Sequence, residues 1–414
     1  MSFFCYQLGV KSVQTAGIII EYNPMHSGHI HLIEETRRLL GPDTAVVCVM
    51  SGDFVQRGDF AVVGRRARAK AAVMSGADLV LELPLPWAVS SAERFADGGV
   101  QMLAAAGVVT HLAFGSECGD AAALTEMAAC LDSELYQAGL RRFLGEGMSF
   151  AACRQAVVGS ILGAEKAALL ETPNNILAVE YCKSLLHRGS SIQPLTVPRR
   201  GAAHDGAAQV GENPSASAIR ELLRRGEREA ALALMAPAMG EAYREEEAAG
   251  RAPVFLENCE RAMLARLRTM TEQDFTALDE GREGLCNRLY RASRTAASVA
   301  EVLEAAKTKR YAYARLRRMA LWAYLGLTPV DFPAEVPYLR PLAANAAGRA
   351  LLARMRKTAS VPILTKPADV RRLGEEARTL FALEARAADL YALAYPDLAA
   401  AVGGSAWKEG PVIV

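Results

Sequence analysis

The chain has 414 residues, 51% of them apolar, and its 47 basic and 46 acidic side chains leave a net charge of +1. That length calls for two or three domains with large cores, and near-neutrality excludes recognition of nucleic acid through an overall field, so any basic surface has to be local. Eight scattered cysteines without a Cys-x-x-Cys pair argue against structural zinc. Isolated thiols in apolar stretches point to a reducing cytoplasm, no membrane-length apolar run or secretory start is present, and no obligatory protein partner is evident.

Residues 1–15 read as an N-terminal extension. Ile18, Ile19 and Ile20 then form an unbroken β-branched run, the pattern of a central parallel strand covered on both faces, and Asn23-Pro24 stops it. His26, Ser27, Gly28 and His29 follow where a helix begins. Backbone N–H groups and two imidazoles thus converge at the end of a strand, a place that attracts phosphate. The plainer alternative is a capping turn with solvated imidazoles. Residues 44–50 read as a second strand, 77–83 as a third closed by Pro84 and Pro86, and 109–114 as a fourth ending in Gly115, Ser116 and Glu117. Helices near 61–75 and 90–106 separate them. This alternation predicts an α/β, doubly wound parallel sheet with ligands beyond the carboxyl ends of its strands.

Residues 131–190 are mostly helical in pattern, interrupted at Thr172-Pro173-Asn174-Asn175, where Asn174 reads as an N-cap. A fifth strand follows at 192–197. Arg199 and Arg200 lie just beyond it and suit a polyphosphate, since guanidinium is permanently charged and forks onto two oxygens; a solvated turn would carry them equally well. Ser215 or Ser217 caps the next helix, with Arg220 one turn on, an arrangement that can hold phosphates or simply start a helix. From residue 228 the sequence becomes mainly helical. Lys307, Lys309, Arg310, Arg315, Arg317 and Arg318, with Tyr311 and Tyr313, form a basic helix start there. It can attract RNA phosphates and stack unpaired bases, or be a solvated face with its apolar side packed. Residues 360–367 read as extended and 376–402 as a supporting helix.

In one order along the chain, Glu21-Tyr22-Asn23-Pro24, the stretch from Met50 through Gln56 to Gly58, Ala67-Arg68-Ala69-Lys70, Glu82-Leu83-Pro84 and Phe114-Gly115-Ser116-Glu117 resemble the tRNA(Met) cytidine acetate ligase family. The His26-Ser27-Gly28-His29 turn is similar to the signature of the HIGH-type nucleotidyltransferase superfamily, and the segment from Ser215 to Arg220 to its second signature. Pro173-Asn174-Asn175 and the Arg-x-Gly-Ala loop from Arg199 extend the resemblance, which covers most of residues 16–372. Where the family usually reads Asn-Pro-Phe-His-Asn-Gly-His, this chain has Met25 and Ser27, leaving both histidines and the glycine in place.

The resemblance implies a five-stranded, Rossmann-like ATP-binding domain over 16–227 and a mainly α-helical, tRNA-binding domain over 228–414. It implies a ligase that activates acetate with ATP, as the Mg-ATP complex, to acetyl-adenylate and then acetylates the wobble cytidine of elongator tRNA(Met) to N4-acetylcytidine. His26 and His29 would be catalytic through the phosphates. Ile19, Ile20, Glu21, Tyr22, Asn23, Pro24, Met25, Ser27, Gly28, Gly115, Asn174, Arg199, Arg200, Ser217 and Arg220 would contact the nucleotide. Lys309, Arg310, Tyr311, Arg315, Arg317 and Arg318 would contact RNA, and no protein side chains would be dedicated to a metal. For the proton released by the cytidine amine, Asp53 and Glu21 are both available. Two other readings stay open, an adenylyltransferase for a small phosphorylated or nucleotide substrate and a non-catalytic RNA-binding module.

Overall fold

The computed structural model describes residues 14–145, 150–199, 215–278, 284–308 and 311–414. Within them the five expected strands form as β1 (Thr15–Ile20), β2 (Ala45–Ser51), β5 (Leu79–Leu83), β6 (His111–Ser116) and β7 (Gln193–Pro198). Between β2 and β5 a short hairpin, β3 (Phe54–Val55) with β4 (Asp59–Phe60), stands outside the main sheet. The five strands run parallel in the order β7-β6-β1-β2-β5. Thr15, which the sequence reading leaves in the extension, is already part of β1.

Side-chain alternation explains why these runs are so apolar. Ile19, Val47, Val49, Leu79, Leu81 and Leu112 point into one core, while Ile18, Ile20, Val46, Cys48, Met50 and Val80 point into a second on the opposite face. A strand buried on both sides has no polar positions to spare. Each such Ile, Val or Leu contributes roughly 1.5–3 kcal/mol by leaving water. The helix Ala92–Ala105 closes one face, and it approaches so nearly that a Cβ at Gly99 would lie 2.5 Å from Ile19 Cδ1.

The sheet does not stop at five strands. Two further strands come from the region read as helical: β8 (Pro341–Ala344), antiparallel to β5, and β9 (Val412–Ile413), parallel to β8. They cover the N–H and C=O groups that β5 would otherwise expose along its outer edge. The helix Ala346–Thr358 follows β8, with Asn345 as its cap and Asn345 Nδ2 donating to Asp78 Oδ1 at 2.9 Å, so it is tied to the turn before β5. Of residues 360–367, read as extended, only the middle pairs like a strand, Ile363 bridging Leu339 in parallel and Leu339 N–H donating to the Pro362 carbonyl at 2.9 Å, while Pro367 already starts a 3-10 helix. The helix expected over 376–402 spans Glu375–Ala392. Among the described residues no helix is long and apolar enough to cross a membrane.

Chain order reverses between β1 and β6, and there the pairing is short. β1 matches β2 along its whole length but β6 only at Ala16–His111 and Gly17–Leu112. Beyond those pairs β1 and β6 are no longer paired, and the crevice outside the carboxyl ends at such a switch point is where open α/β sheets place ligands.

Candidate active site

The turn after β1 is built to aim two imidazoles. Tyr22 takes φ +47, a left-handed conformation uncommon outside glycine, and Asn23 Oδ1 accepts from Val62 N–H at 2.8 Å, so the turn is fixed to the loop before α2 (Arg65–Met74). The Met25 carbonyl accepts from Ala236 N–H at 2.9 Å on the other side. His26 is then the N-cap of α1 (Ser27–Leu40): its Nδ1 accepts from Gly28 N–H at 3.2 Å, and His29 Nδ1 accepts from His26 N–H at 3.2 Å. This is a capping box made of two histidines. With each Nδ1 accepting, the neutral tautomer of each ring carries its proton on Nε2. The rings lie 3.9 Å apart between centroids, and Tyr22 packs on His29 at 4.7 Å. Desolvation in this crowded turn, with His26 and Arg199 nearby, holds His29 well below the ordinary imidazole pKa of 6.5, so it is neutral. No acidic residue occupies the first turn of α1 to offset the helix dipole.

The side chains of Ile19, Ile20, Tyr22 and Met25 are buried in the core, so a nucleotide would meet their backbone. Pro24 is buried, Ser27 is exposed, and Glu21 and Gly28 are partly exposed.

On the other wall of the crevice, Glu117 follows β6 and its carboxylate binds the start of the helix Pro173–His187. Oε1 accepts from Asn174 Nδ2 at 2.6 Å, Oε2 from Asn175 N–H at 2.7 Å, and Asn175 Oδ1 accepts in return from Glu117 N–H at 3.0 Å. Asn174 is therefore not the N-cap that its place after Pro173 suggests; Thr172 holds that position. Asn174 Oδ1 instead accepts from Arg199 Nη1 at 3.1 Å. Gly115 makes room for this arginine, since a Cβ there would come within 3.3 Å of Arg199 Cγ. Arg200 lies outside the described residues.

The second motif joins the first directly. Ser215, not Ser217, caps the helix Ala216–Arg224 by accepting from Ala218 N–H at 3.1 Å. Arg220 Nη2 donates to Ser217 Oγ at 3.2 Å and Nη1 to the Asn23 carbonyl at 2.6 Å, while its buried Nε has no acceptor among the described residues. Stretches near residues 26, 115, 174, 199 and 217 thus meet around one crevice.

Behind the turn stands a guanidinium whose role the sequence reading did not single out. Arg68 is fully buried and donates to the carbonyls of Val63 (2.8 Å), Glu21 (2.6 Å), Ser51 (3.3 Å) and Gly52, binding three loop ends together. Its signal in the sequence is the Ala67-Arg68-Ala69-Lys70 motif, which carries part of the family resemblance without giving the arginine a role. Arg65 similarly joins Asp53 Oδ2 at 2.5 Å and Glu82 Oε1 at 3.4 Å. Among the described residues no group of three or more His, Cys, Asp or Glu side chains could hold a metal ion.

The basic helix start is more engaged than its sequence suggests. Arg317 Nη2 pairs with buried Asp59 Oδ2 at 2.6 Å and Arg318 Nη1 donates to the Gln56 carbonyl at 3.4 Å, so both reach into the β3–β4 hairpin. Gly58, at φ +73, lets that hairpin touch the helix Tyr313–Leu325, for a Cβ there would lie 2.5 Å from Arg318 N. Arg315 stacks over Tyr311 at 5.4 Å and Lys307 over exposed Tyr313 at 5.4 Å. Lys309 and Arg310 lie outside the described residues.

Comparison with known proteins identifies the family. The family model described as HIGH Nucleotidyl Transferase matches residues 13–404. The tRNA(Met) cytidine acetate ligase of Acetivibrio thermocellus is 34% identical over 97% of this chain and 100% of its own, and that of Caldanaerobacter subterraneus is 35% identical over 94% and 97%. The apo crystal structure of Thermotoga maritima TmcAL, 33% identical, superposes with a TM-score of 0.92 over 97% of this chain and 99% of that one. A second TmcAL structure, bound with alpha-thio ATP, gives 0.90 at the same identity and coverage. The chain belongs to the HIGH nucleotidyl transferase family and to the tRNA(Met) cytidine acetate ligase family.

Proposed function

We propose that this chain activates acetate with ATP and transfers the acetyl group to the wobble cytidine of elongator tRNA(Met). The observation that carries this reading is the meeting of the His26–His29 turn, the Asn174–Arg199 pair and Arg220 at one crevice. Acetate oxygen attacks the α-phosphorus of ATP and pyrophosphate leaves. Negative charge grows on phosphate oxygens in that step. The Nε2–H groups of the two imidazoles, the N-terminus of α1 and the Arg199 and Arg220 guanidiniums would donate to that charge. A magnesium ion would enter with the phosphates.

The same reading divides the labour along the chain. Residues 16–227 hold ATP, with Ile19 to Gly28 supplying backbone and side-chain contacts and Gly115, Asn174, Arg199, Arg200 and Ser217 completing the cradle. Residues 228–414 hold tRNA in the cytoplasm, where Tyr311, Tyr313, Lys307 and Arg315 offer stacking and charge beside Lys309 and Arg310. The names of the relatives, and the ATP analogue in the TmcAL crystal, support this assignment. Incubation with ATP, labelled acetate and tRNA(Met), followed by nucleoside analysis, tests it. Label should appear in N4-acetylcytidine with stoichiometric pyrophosphate. Pyrophosphate release with a small phosphorylated acceptor and none with acetate would refute it.

A further inference from the structure

Acyl transfer to an amine leaves a proton to be placed. As the cytidine N4 bonds to the acetyl carbonyl carbon, the bond from that carbon to the phosphate oxygen breaks, AMP departs with the electron pair, and N4 must give up one hydrogen to a base. The imidazoles are unsuited to this, because Nδ1 of both His26 and His29 already accepts a backbone N–H and Nε2 carries the remaining proton. Most nearby carboxylates are spoken for by guanidiniums. Asp53 is joined to Arg65 at 2.5 Å and Asp59 to Arg317 at 2.6 Å, while Glu82 lies between Arg65 at 3.4 Å and Arg340 at 3.2 Å. Glu117 is consumed in holding the helix that carries Asn174.

Glu21 differs from all of these. It stands one residue beyond β1, between the histidine turn and the β3–β4 hairpin, and is partly exposed. Its Oε1 accepts from Gln56 N–H at 2.7 Å and its backbone carbonyl from Arg68 at 2.6 Å, so the residue is held at both ends. Oε2 has no hydrogen-bond partner among the described residues, and no guanidinium there lies within ion-pairing distance. We propose that Glu21 is the base that takes the N4 proton during acetyl transfer, an inference that rests on the acetate ligase reading above. Its surroundings suit the task. Burial raises its basicity above the ordinary carboxylate value of 4.5, and the Gln56 N–H and the charges of Arg220, Arg68 and Arg57 oppose that. A carboxyl of raised pKa accepts a proton more readily than one paired to arginine.

The test compares two half-reactions in wild type and Glu21→Gln, whose amide oxygen can still accept from Gln56. One is acetate-dependent ATP–pyrophosphate exchange, and the other is single-turnover acetyl transfer to tRNA(Met) after adenylate has formed. Transfer should fall about 100-fold more than exchange, within the range for loss of a general base. In wild type the transfer rate should climb with pH as Glu21 ionises, and this acid limb should vanish in Glu21→Gln but persist at a lower rate in Glu21→Asp. Equal losses in both half-reactions, or an acid limb that survives in Glu21→Gln, would overturn the proposal. So would a wild-type transfer rate without an acid limb, a measurement that needs no variant to fold. Absence of acetate-dependent exchange in the wild type would instead bring down the acetate reading, and this inference with it.

Discussion

Arg317 donates to Asp59 at 2.6 Å, joining the helix Tyr313–Leu325 to the hairpin whose Gln56 N–H holds Glu21. An arginine that reads as an RNA contact is tied by this geometry to the hairpin beside the histidine turn. Asp59 is 7% exposed and Arg317 25%, so the pair is neither fully buried nor freely solvated. Arg317→Ala should cost about 1–3 kcal/mol, less than the loss of a fully buried partner, and should slow pyrophosphate exchange more than it weakens tRNA binding. Urea unfolding, exchange kinetics and gel shift check the three parts.

His29 carries both a cap and a donor. His29→Ala should lower adenylate formation roughly 100–1000-fold, as loss of a transition-state donor does, and remove about 1 kcal/mol of helix capping. Its depressed pKa sets a sign for stability as well. Below its ordinary value of 6.5 the unfolded chain takes up a proton that the folded chain refuses. Stability attributable to this residue should therefore fall by up to about 1.4 kcal/mol per pH unit as pH drops below that value. Thermal melts from pH 7 to 5 should show a shallower decline in His29→Ala than in wild type.

Arg199 meets Asn174 on the opposite wall, and its removal takes a permanent charge from the phosphate side. Arg199→Ala should raise the KM for ATP about 10–100-fold, the scale of one hydrogen bond to a charged group. Gly115→Ala should shift KM the same way by a smaller factor, since the new methyl crowds Arg199 Cγ at 3.3 Å. Steady-state kinetics at varied ATP measure both.

Glu384 lies in the network behind β5, where its Oε2 accepts from Tyr338 OH at 2.6 Å and its Oε1 from Leu85 N–H at 3.4 Å. Burial, reinforced by the negative charge of Glu82, pushes its carboxyl up from 4.5 to about 7. A raised folded-state pKa contributes stability that is fully present below pH 4.5 and is lost as pH rises through 7. Glu384→Gln should therefore be more stable than wild type by roughly 1–3 kcal/mol at pH 8, and the advantage should disappear at pH 4. Chemical denaturation at the two pH values decides it.

Much of this architecture is legible locally. The isoleucine run of β1 fixes a doubly covered strand, and the histidines mark the start of α1 because helix capping and phosphate attraction both act within a few residues. Other features depend on partners far along the chain. Arg318 and Gln56 lie 262 residues apart, and no local pattern separates an arginine that meets a distant hairpin from a solvated one. β8 escapes notice because Pro341-Leu342-Ala343-Ala344 is short and poor in β-formers, and becomes a strand only through the edge that β5 offers. Asn174 follows a proline and mimics a cap, yet Glu117 from another strand end takes over the capping and leaves the amide oxygen to Arg199.

The pairing of β8 with β5 has a temporal side. During synthesis the outer edge of β5 leaves the ribosome roughly 260 residues ahead of its partner, which at ~5–20 residues per second is about 10 to 50 s. For that interval the half-made sheet carries an open hydrogen-bonding edge, the kind of surface on which nascent chains adhere to one another. Holdase chaperones would find their strongest purchase on this protein before residue 341 emerges.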